Sequence, residues 1–197
     1  MGRPRLHGEQ TAGALLDAAE RIVETDGIEA LTVRRVAEEV RTTTRAVYTI
    51  YGSKDGLVVA LGRRAFDLLG AAVEALPATD DPAADLVEAG ARVFRRFALD
   101  HPALYRVGVQ WGNLPDPDVA AGFMDAASAA RASLERRVAR LEETGGLGRT
   151  TVRDATRAFH AFCEGLAGME LRGALPRAEE DRVWRSSLAA LLHGFSG

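Results

Sequence analysis

Apolar residues recur at intervals of three and four along most of the chain, and β-branched runs with a period of two are absent. The first spacing gathers apolar side chains on one face of an α-helix, whereas the second is typical of strands. Leu15, Ala19 and Ile22 belong to the first such stripe, and Gly27 after them suits a helix end. The pattern therefore predicts an all-α fold.

Capping and breaking residues divide this pattern into elements. Thr32 is suited to cap a second, short helix, and a third short helix is expected after the threonine run 42–44. A fourth, long helix begins after Ser53 and ends before Pro77. Later helices are predicted at about 83–99, 102–111, 117–143, 151–172 and 178–195.

The composition is that of an intracellular globular protein. Hydrophobic residues make up 47% and charged residues 27% of the 197 residues, with a formal net charge of −3. The single cysteine, Cys163, allows no internal disulfide, which fits a reducing cytoplasm. The N-terminus lacks the apolar run of a signal peptide, and no apolar run approaches the roughly 18–20 residues that span a bilayer. We expect a cytoplasmic protein without membrane association.

Residues 32–57, which read TVRRVAEEVRTTTRAVYTIYGSKDGL, have the pattern of two short helices that cross at a steep angle. Such a crossing needs small or apolar residues and a tight turn that ends in an oxygen-bearing cap. Thr43 is the predicted cap of the second helix. The crossing is expected from Val36, Ala37, Val40, Ala46 and Val47.

The second of these helices has a polar face that suits DNA. Thr44, Arg45, Tyr48 and Thr49 can donate or accept hydrogen bonds, and Arg45 can form a bidentate pair with a guanine edge. Thr32 and Lys54 lie near helix N-termini, where backbone N–H groups and side chains can hold phosphate oxygens. A solvated polar face of a small helical bundle is the alternative.

The set of motifs resembles the DNA-binding signature of the TetR family. The matching parts are T-V-x-x-V-A-x-x-V, then T-x-x-A-V-Y, then Y-G-S-K-x-x-L, within roughly residues 9–57. The resemblance implies that Tyr48 and Lys54 meet the DNA backbone and that Thr44, Arg45 and Thr49 face the groove. Arg41 stands where the family usually has glycine, so either Arg41 adopts a left-handed conformation or the turn differs.

The resemblance also implies a domain organisation. We expect a three-helix helix-turn-helix domain over residues 1–56, joined by a long helix to a larger helical domain over 57–197 that binds an effector and dimerises. About nine helices are expected in total. Large aromatic side chains of the second part either line an effector pocket or fill the core. The candidate lining residues are Phe66, Phe94, Phe97, Tyr105, Trp111, Phe123, Phe159 and Phe162.

Residues 159–173 are similar to part of a WHG-type C-terminal domain of some TetR-like regulators, although Glu164 stands where a histidine is expected. That similarity implies that this helix and the last one form a four-helix interface with their symmetry mates. We expect close backbone approach at the glycines of this stretch. The predicted interface residues are Gly165, Met169, Trp184, Leu188, Leu191, Leu192 and Phe195.

These features predict a homodimeric, ligand-responsive repressor that binds double-stranded, pseudo-palindromic operator DNA and is released by an unknown small, apolar effector. The residues expected to contact the operator are Thr43, Thr44, Arg45, Tyr48 and Thr49, with phosphate contacts at Thr32 and Lys54. One alternative is a DNA-binding regulator controlled by a protein partner or by no ligand. A helical enzyme that uses His160 and Cys163 is the second, disfavoured because Cys163 lies in an apolar stripe and behaves there as a small hydrophobe. Neither a cofactor nor a bound metal is expected.

Overall fold

The computed structural model describes residues 3–110 and 117–196, and for residues 3–7, 109–110 and 117–120 it describes the backbone alone. Over these residues the chain forms helices and no strand. The α-helices are α1 (Arg3–Asp26), α2 (Val33–Glu39), α3 (Thr44–Tyr51), α4 (Lys54–Glu74), α5 (Pro82–Glu88), α6 (Arg95–Asp100), α7 (Pro102–Gln110), α8 (Pro117–Glu143), α9 (Val152–Leu171) and α10 (Glu180–Phe195).

A π-helical stretch, Ala89–Phe94, joins α5 to α6 without a break, and a 3₁₀ turn, Ile28–Ala30, follows α1. Counted with α5 to α6 as one continuous helix, the described residues form nine helices, as the sequence predicts. The all-α prediction is confirmed, and the later helices lie within two residues of their predicted bounds.

Side-chain caps explain several of the helix starts. At the start of α2, Thr32 accepts a hydrogen bond from the backbone N–H of Arg35. At the start of α5, Asp81 accepts one from the backbone N–H of Ala84, and Pro82 lies in the first turn. Thr151 accepts one from Asp154 in the same way at the start of α9. Each cap satisfies one of the N–H groups that a helix start leaves without an intrahelical partner.

By packing, the chain divides into two compact units. Unit 1 comprises Met1–Ala65 and Pro102–Ala126, and unit 2 comprises Phe66–His101 and Ala127–Gly197. This division departs from the boundary after residue 56, because α7 packs against α1 and belongs to unit 1. The functional division at residue 56 therefore remains a prediction.

In unit 1, the apolar stripes of α1 to α4 meet in one core. Burying a leucine or valine side chain contributes about 1.5–3 kcal/mol, so these stripes hold the short α2 and α3 in place. Leu15→Ala is expected to cost about 2–5 kcal/mol. The core residues are Leu15, Ala18, Ala19, Ile22, Val36, Ala37, Val47, Leu57 and Leu61.

In unit 2, α10 packs on α5, on the π-helical stretch and on α9. Gly90 lies at the closest approach, because a Cβ there would stand 2.5 Å from Cδ1 of Leu188 and 3.1 Å from Sγ of Cys163. A side chain at this position would require the side chains of Leu188, Cys163 or Phe159 to shift. Trp184 and Leu188 are fully buried in the same core.

None of the helices in the described part of the chain is long and apolar enough to cross a membrane.

Candidate nucleic-acid interface

The crossing of α2 and α3 is formed by buried small and apolar side chains. Val36 and Val47 have no exposed surface and Ala37 is 2% exposed, whereas Val40 and Ala46 are partly exposed. With Ala37 at the contact, the two helices approach closely. Val47 is the one buried residue of α3. The exposed polar residues of this helix are Thr44, Arg45, Tyr48 and Thr49.

The turn between these helices is a tight helix end. The N–H of Thr42 donates to the carbonyl of Ala37 at 2.9 Å, and the N–H of Arg41 donates to Glu38 at 3.1 Å. This pair of bonds requires a left-handed residue at position 41, and Arg41 has φ 56°. The first of the two alternatives is thus confirmed, at a conformational cost of about 1 kcal/mol relative to glycine.

The predicted base-reading residues lie on the open side of α3. Thr44, Arg45 and Thr49 are exposed, and Tyr48 is 55% exposed. The hydroxyl of Thr49 donates to the backbone carbonyl of Arg45 at 2.8 Å, which fixes its rotamer on the helix. Thr43 accepts a hydrogen bond from the N–H of Ala46 at 3.2 Å, as predicted for the cap of α3.

The predicted phosphate-binding residues lie at helix starts. The hydroxyl of Thr32 accepts from the N–H of Arg35 at 3.2 Å, which leaves its own proton able to donate. Lys54 is the first residue of α4 and is partly exposed. Ser53 caps α4 by accepting from the N–H of Gly56 at 3.0 Å, a role that was not predicted although the Ser-Lys pair indicates it.

Charge is unevenly compensated across residues 32–57. On α2, Arg34 pairs with Glu38 at 2.8 Å, and Arg35 pairs with Asp26. The other cations of this segment are Arg41, Arg45 and Lys54. None of these three forms an ion pair with any side chain that the structure describes. The uncompensated positive charge of the motif therefore lies at the turn, on α3 and at the start of α4, where it can attract phosphates.

Tyr51, the last residue of α3, anchors this helix to α1. Its hydroxyl donates to the carbonyl of Ala12 at 2.7 Å, and burial raises the pKa of Tyr51. Nearby, Arg64 of α4 pairs with Asp17 at 2.6 Å and with Glu20 at 2.9 Å, both on α1. This anchor was not predicted from the sequence, because partners 39 residues apart leave no local signal.

The eight candidate effector residues do not gather in one unit. Tyr105 and Phe123 are buried in unit 1, and the ring of Phe123 fills the space beside Gly62. Phe94 and Phe159 are buried in unit 2, where Phe66 and Phe97 are partly exposed. Trp111 lies outside the described residues.

Phe162 lies at the surface of α9. Its side chain is 36% exposed, together with exposed Gly165 and Met169. These three residues are spaced by three and four, so they share one helix face. Phe162 therefore lies beside two predicted interface residues, and its place in an effector pocket stays a prediction.

The predicted interface residues of α10 require a correction. Trp184 and Leu188 are fully buried, Leu192 is 4% and Phe195 is 9% exposed within the single chain. Trp184 and Leu188 offer no surface to a second chain, so these two are removed from the predicted interface, whereas Leu192 and Phe195 stay in it as predictions. Leu191 is partly exposed and remains in it.

Gly165 lies on the same face of α9 as Phe162 and Met169. A Cβ added at this position would meet no atom of the described residues within 4 Å, so the described part of the chain does not approach the backbone closely at Gly165. Gly165, Met169 and Leu191 remain predicted interface residues.

His160 and Cys163 are not arranged as a nucleophile and its base. Cys163 is fully buried, and burial raises the pKa of its thiol, so the thiolate is strongly disfavoured. Burial lowers the pKa of His160, whose Nδ1 lies 3.3 Å from Oε1 of Glu164, and its ring stands edge-on to Phe94. Within the described part of the chain, no group of three or more His, Cys, Asp or Glu side chains could hold a metal ion.

An all-helical chain with a capped, exposed recognition helix defines a helix-turn-helix protein. The family model described as "Bacterial regulatory proteins, tetR family" matches residues 15–61. The model described as "Tetracyclin repressor-like, C-terminal domain" matches residues 87–195, more than half of the chain. The chain therefore belongs to the TetR family of DNA-binding transcriptional regulators, which are not enzymes.

A characterised relative is similar over part of its length. The "HTH-type nicotine-responsive transcriptional repressor HdnoR" of Paenarthrobacter nicotinovorans is 32% identical over 83 residues. The match spans 42% of this chain and 41% of that protein, less than half of each.

Solved structures are similar over nearly the whole chain. A protein with unknown function from Rhodococcus sp. RHA1 has a TM-score of 0.82 at 25% identity, covering 95% of this chain and 96% of that one. The TetR family regulator PfmR from Thermus thermophilus has a TM-score of 0.71 at 19% identity, covering 90% and 96%. The fatty acid degradation regulator FadR from Bacillus halodurans has a TM-score of 0.73 at 12% identity, covering 92% and 93%. The latter two likenesses establish the fold alone.

Proposed function

We propose that the protein is a cytoplasmic, homodimeric repressor that binds a pseudo-palindromic operator and is released by a small, largely apolar effector. The observation that carries the proposal is α3, which buries one residue, Val47, and exposes Thr44, Arg45, Tyr48 and Thr49. A helix of eight residues with one buried contact and a polar outer face has the form of a recognition helix for the major groove.

Dimerisation supports sequence specificity. One recognition helix reads few base pairs, whereas a two-fold dimer presents two of them about 34–36 Å apart in successive major grooves. The apolar surface of Phe162, Gly165 and Met169 on α9 supports a dimer contact, because pairing with a second copy would remove it from water. Leu191 on α10 is the further residue proposed for this contact.

An effector site is proposed within the helical body. Phe66 and Phe97 are partly exposed aromatic residues of unit 2, whose core holds Phe94 and Phe159. Such groups favour an apolar or aromatic ligand. The partial likeness to a repressor named as nicotine-responsive supports an effector of small size.

Effector and operator are proposed to oppose each other through α4. This helix begins three residues after α3 ends, and its residues are divided between the two units. A ligand that favours one placement of α4 shifts the equilibrium between operator-binding and non-binding states, and linkage makes the effect reciprocal.

The first test is the retention of genomic DNA fragments by the purified full-length protein. We expect a few fragments to be enriched, each with two half-sites whose centres lie about 10–10.5 base pairs, or a multiple of that spacing, apart. Indifference to duplex DNA at low salt would overturn the proposal.

The second test uses the enriched operator. Small apolar and aromatic compounds that raise the melting temperature of the protein should weaken its operator affinity, by about 5- to 150-fold for a typical coupling. A stabilising compound that leaves operator affinity unchanged would favour a regulator without ligand control.

A further inference from the structure

Arg41 occupies a position where the backbone favours glycine. It is one of two non-glycine residues with positive φ in the described chain, with φ 56°, and the other is Ala178, with φ 65°. The hydrogen bonds that close this turn come from the backbone N–H groups of Arg41 and Thr42. The fold therefore uses the backbone of Arg41 and has no need of its side chain.

The side chain of Arg41 is exposed and forms no ion pair with any described side chain. The arginines of α2 differ in this respect, since Arg34 and Arg35 each face a carboxylate. Arg41 instead shares its uncompensated charge with Arg45 and Lys54, the residues assigned above to the DNA. A strained position that keeps an unpaired cation is a reason to look for a binding role.

The position of Arg41 in the chain suggests which part of the DNA it meets. It lies two residues before Thr43, the cap of α3, and so next to the N-terminal end of the recognition helix. A long guanidinium side chain at this point is suited to a phosphate beside the groove that α3 enters. A phosphate contact adds affinity without sequence preference, because it releases a counterion from any duplex.

We propose that Arg41 is a further phosphate-binding residue, placed at the turn of the helix-turn-helix. This inference rests on the proposed function, since it assumes that α3 enters a DNA groove. The phosphate contact stabilises the complex with DNA, and this offsets the conformational cost of the left-handed backbone at Arg41.

The decisive variant is Arg41→Gly, because it separates stability from binding. We expect its melting temperature to rise by about 2–4 °C, since glycine adopts positive φ freely. We expect its affinity for the operator and for unrelated duplexes to fall together, by about 3- to 10-fold at moderate salt. Because each protomer of the dimer contributes one Arg41, the slope of log K against log salt should become shallower by about 1.8. Arg41→Lys should retain most of the affinity.

Two matched controls complete the experiment, which uses fluorescence anisotropy on the full-length protein. Ala178→Gly relieves the other positive-φ position and should raise the melting temperature without changing DNA binding. Arg34→Ala removes an arginine of the same motif that already has a carboxylate partner, and should leave the salt slope unchanged.

Three outcomes would overturn the inference. Unchanged affinity and slope in Arg41→Gly would exclude a phosphate contact, and a loss confined to particular base pairs would assign Arg41 to base reading. An equal loss of affinity in Arg34→Ala would show that the effect comes from the net positive charge of the motif and not from a contact made by Arg41. Failure of the proposed function is distinguishable from all three, since the unaltered protein would then bind no duplex at all.

Discussion

The indole Nε1 of Trp184 donates a hydrogen bond to Oε2 of Glu170 at 2.7 Å, joining α10 to α9. The same carboxylate accepts from the guanidinium of Arg95 at 2.7 Å and 2.9 Å. A fully buried tryptophan needs a partner for its N–H, and Glu170 supplies it. This bond explains why Trp184 belongs to the core of the chain.

Glu170→Ala is the direct test of this bond. It would leave the Trp184 N–H without an acceptor and Arg95 without its main partner, so we expect a loss of about 3 kcal/mol in the free energy of unfolding. Urea unfolding followed by fluorescence measures it. Glu179→Ala breaks an exposed pair with Arg182 and should change stability by no more than about 1 kcal/mol. Equal effects of the two variants would contradict the buried role of Glu170.

Tyr51→Phe tests the anchor of the recognition helix. Loss of the bond to Ala12 should lower stability by about 0.5–1.5 kcal/mol. Because α3 becomes less well positioned, we expect the operator to lose more affinity than unrelated duplexes do. The specificity ratio, measured by competition binding, reports this difference. Tyr105→Phe removes a hydroxyl on α7 and should leave the ratio unchanged. A ratio in Tyr51→Phe equal to that of the unaltered protein would make the anchor purely structural.

Substitution of a residue assigned to bases should change DNA binding differently from substitution of a residue assigned to phosphates. Arg45→Ala is expected to relax the preference at particular base pairs, at about 1–3 kcal/mol of discrimination. Lys54→Ala and Tyr48→Phe should weaken binding to all duplexes, and Lys54→Ala should also reduce the salt slope by about 2, which is about 1 for each protomer of the dimer. Binding to a library of operator variants at several salt concentrations separates these effects. A uniform loss in Arg45→Ala would reassign that residue to the backbone.

The apolar face of α9 predicts the oligomeric state. Phe162→Glu and Met169→Glu place a charge in the proposed dimer contact, so we expect a shift from dimer to monomer without unfolding. Analytical ultracentrifugation and circular dichroism measure the two properties. Met124→Glu alters another exposed apolar side chain, 56% exposed on α8, and serves as the control. A dimer that survives both α9 changes would place the interface elsewhere.

Asp85 predicts a dependence of stability on pH. Burial by itself raises the pKa of this carboxyl, but hydrogen bonds from Thr79 and Arg140 outweigh burial and lower it below the ordinary 3.8. A lowered folded pKa means that the stabilisation is present above about pH 3.8 and is lost as the pH falls below it. Asp85→Asn should be less stable by about 1–3 kcal/mol at pH 7. Urea unfolding from pH 7 to pH 3 should show the difference shrinking at the acid end, and a constant difference would contradict this origin.

The helices and their caps were predictable because their causes are local. Helical spacing, the caps Thr32 and Thr43 and the breaker Pro77 each act within a few residues, so the printed sequence carries them directly. The exposed residues of α3 followed from the same short-range pattern.

By itself the sequence determined that the chain is helical, where each helix lies and which short helix exposes polar groups, since neighbouring residues decide these properties. Only the tertiary structure decided which apolar faces are core and which are surface. It buried Trp184 and Leu188, left Phe162 on the outside and joined Tyr51 to Ala12. Periodicity along one helix shows that an apolar face exists, but the face that it packs against comes from segments far away in the chain.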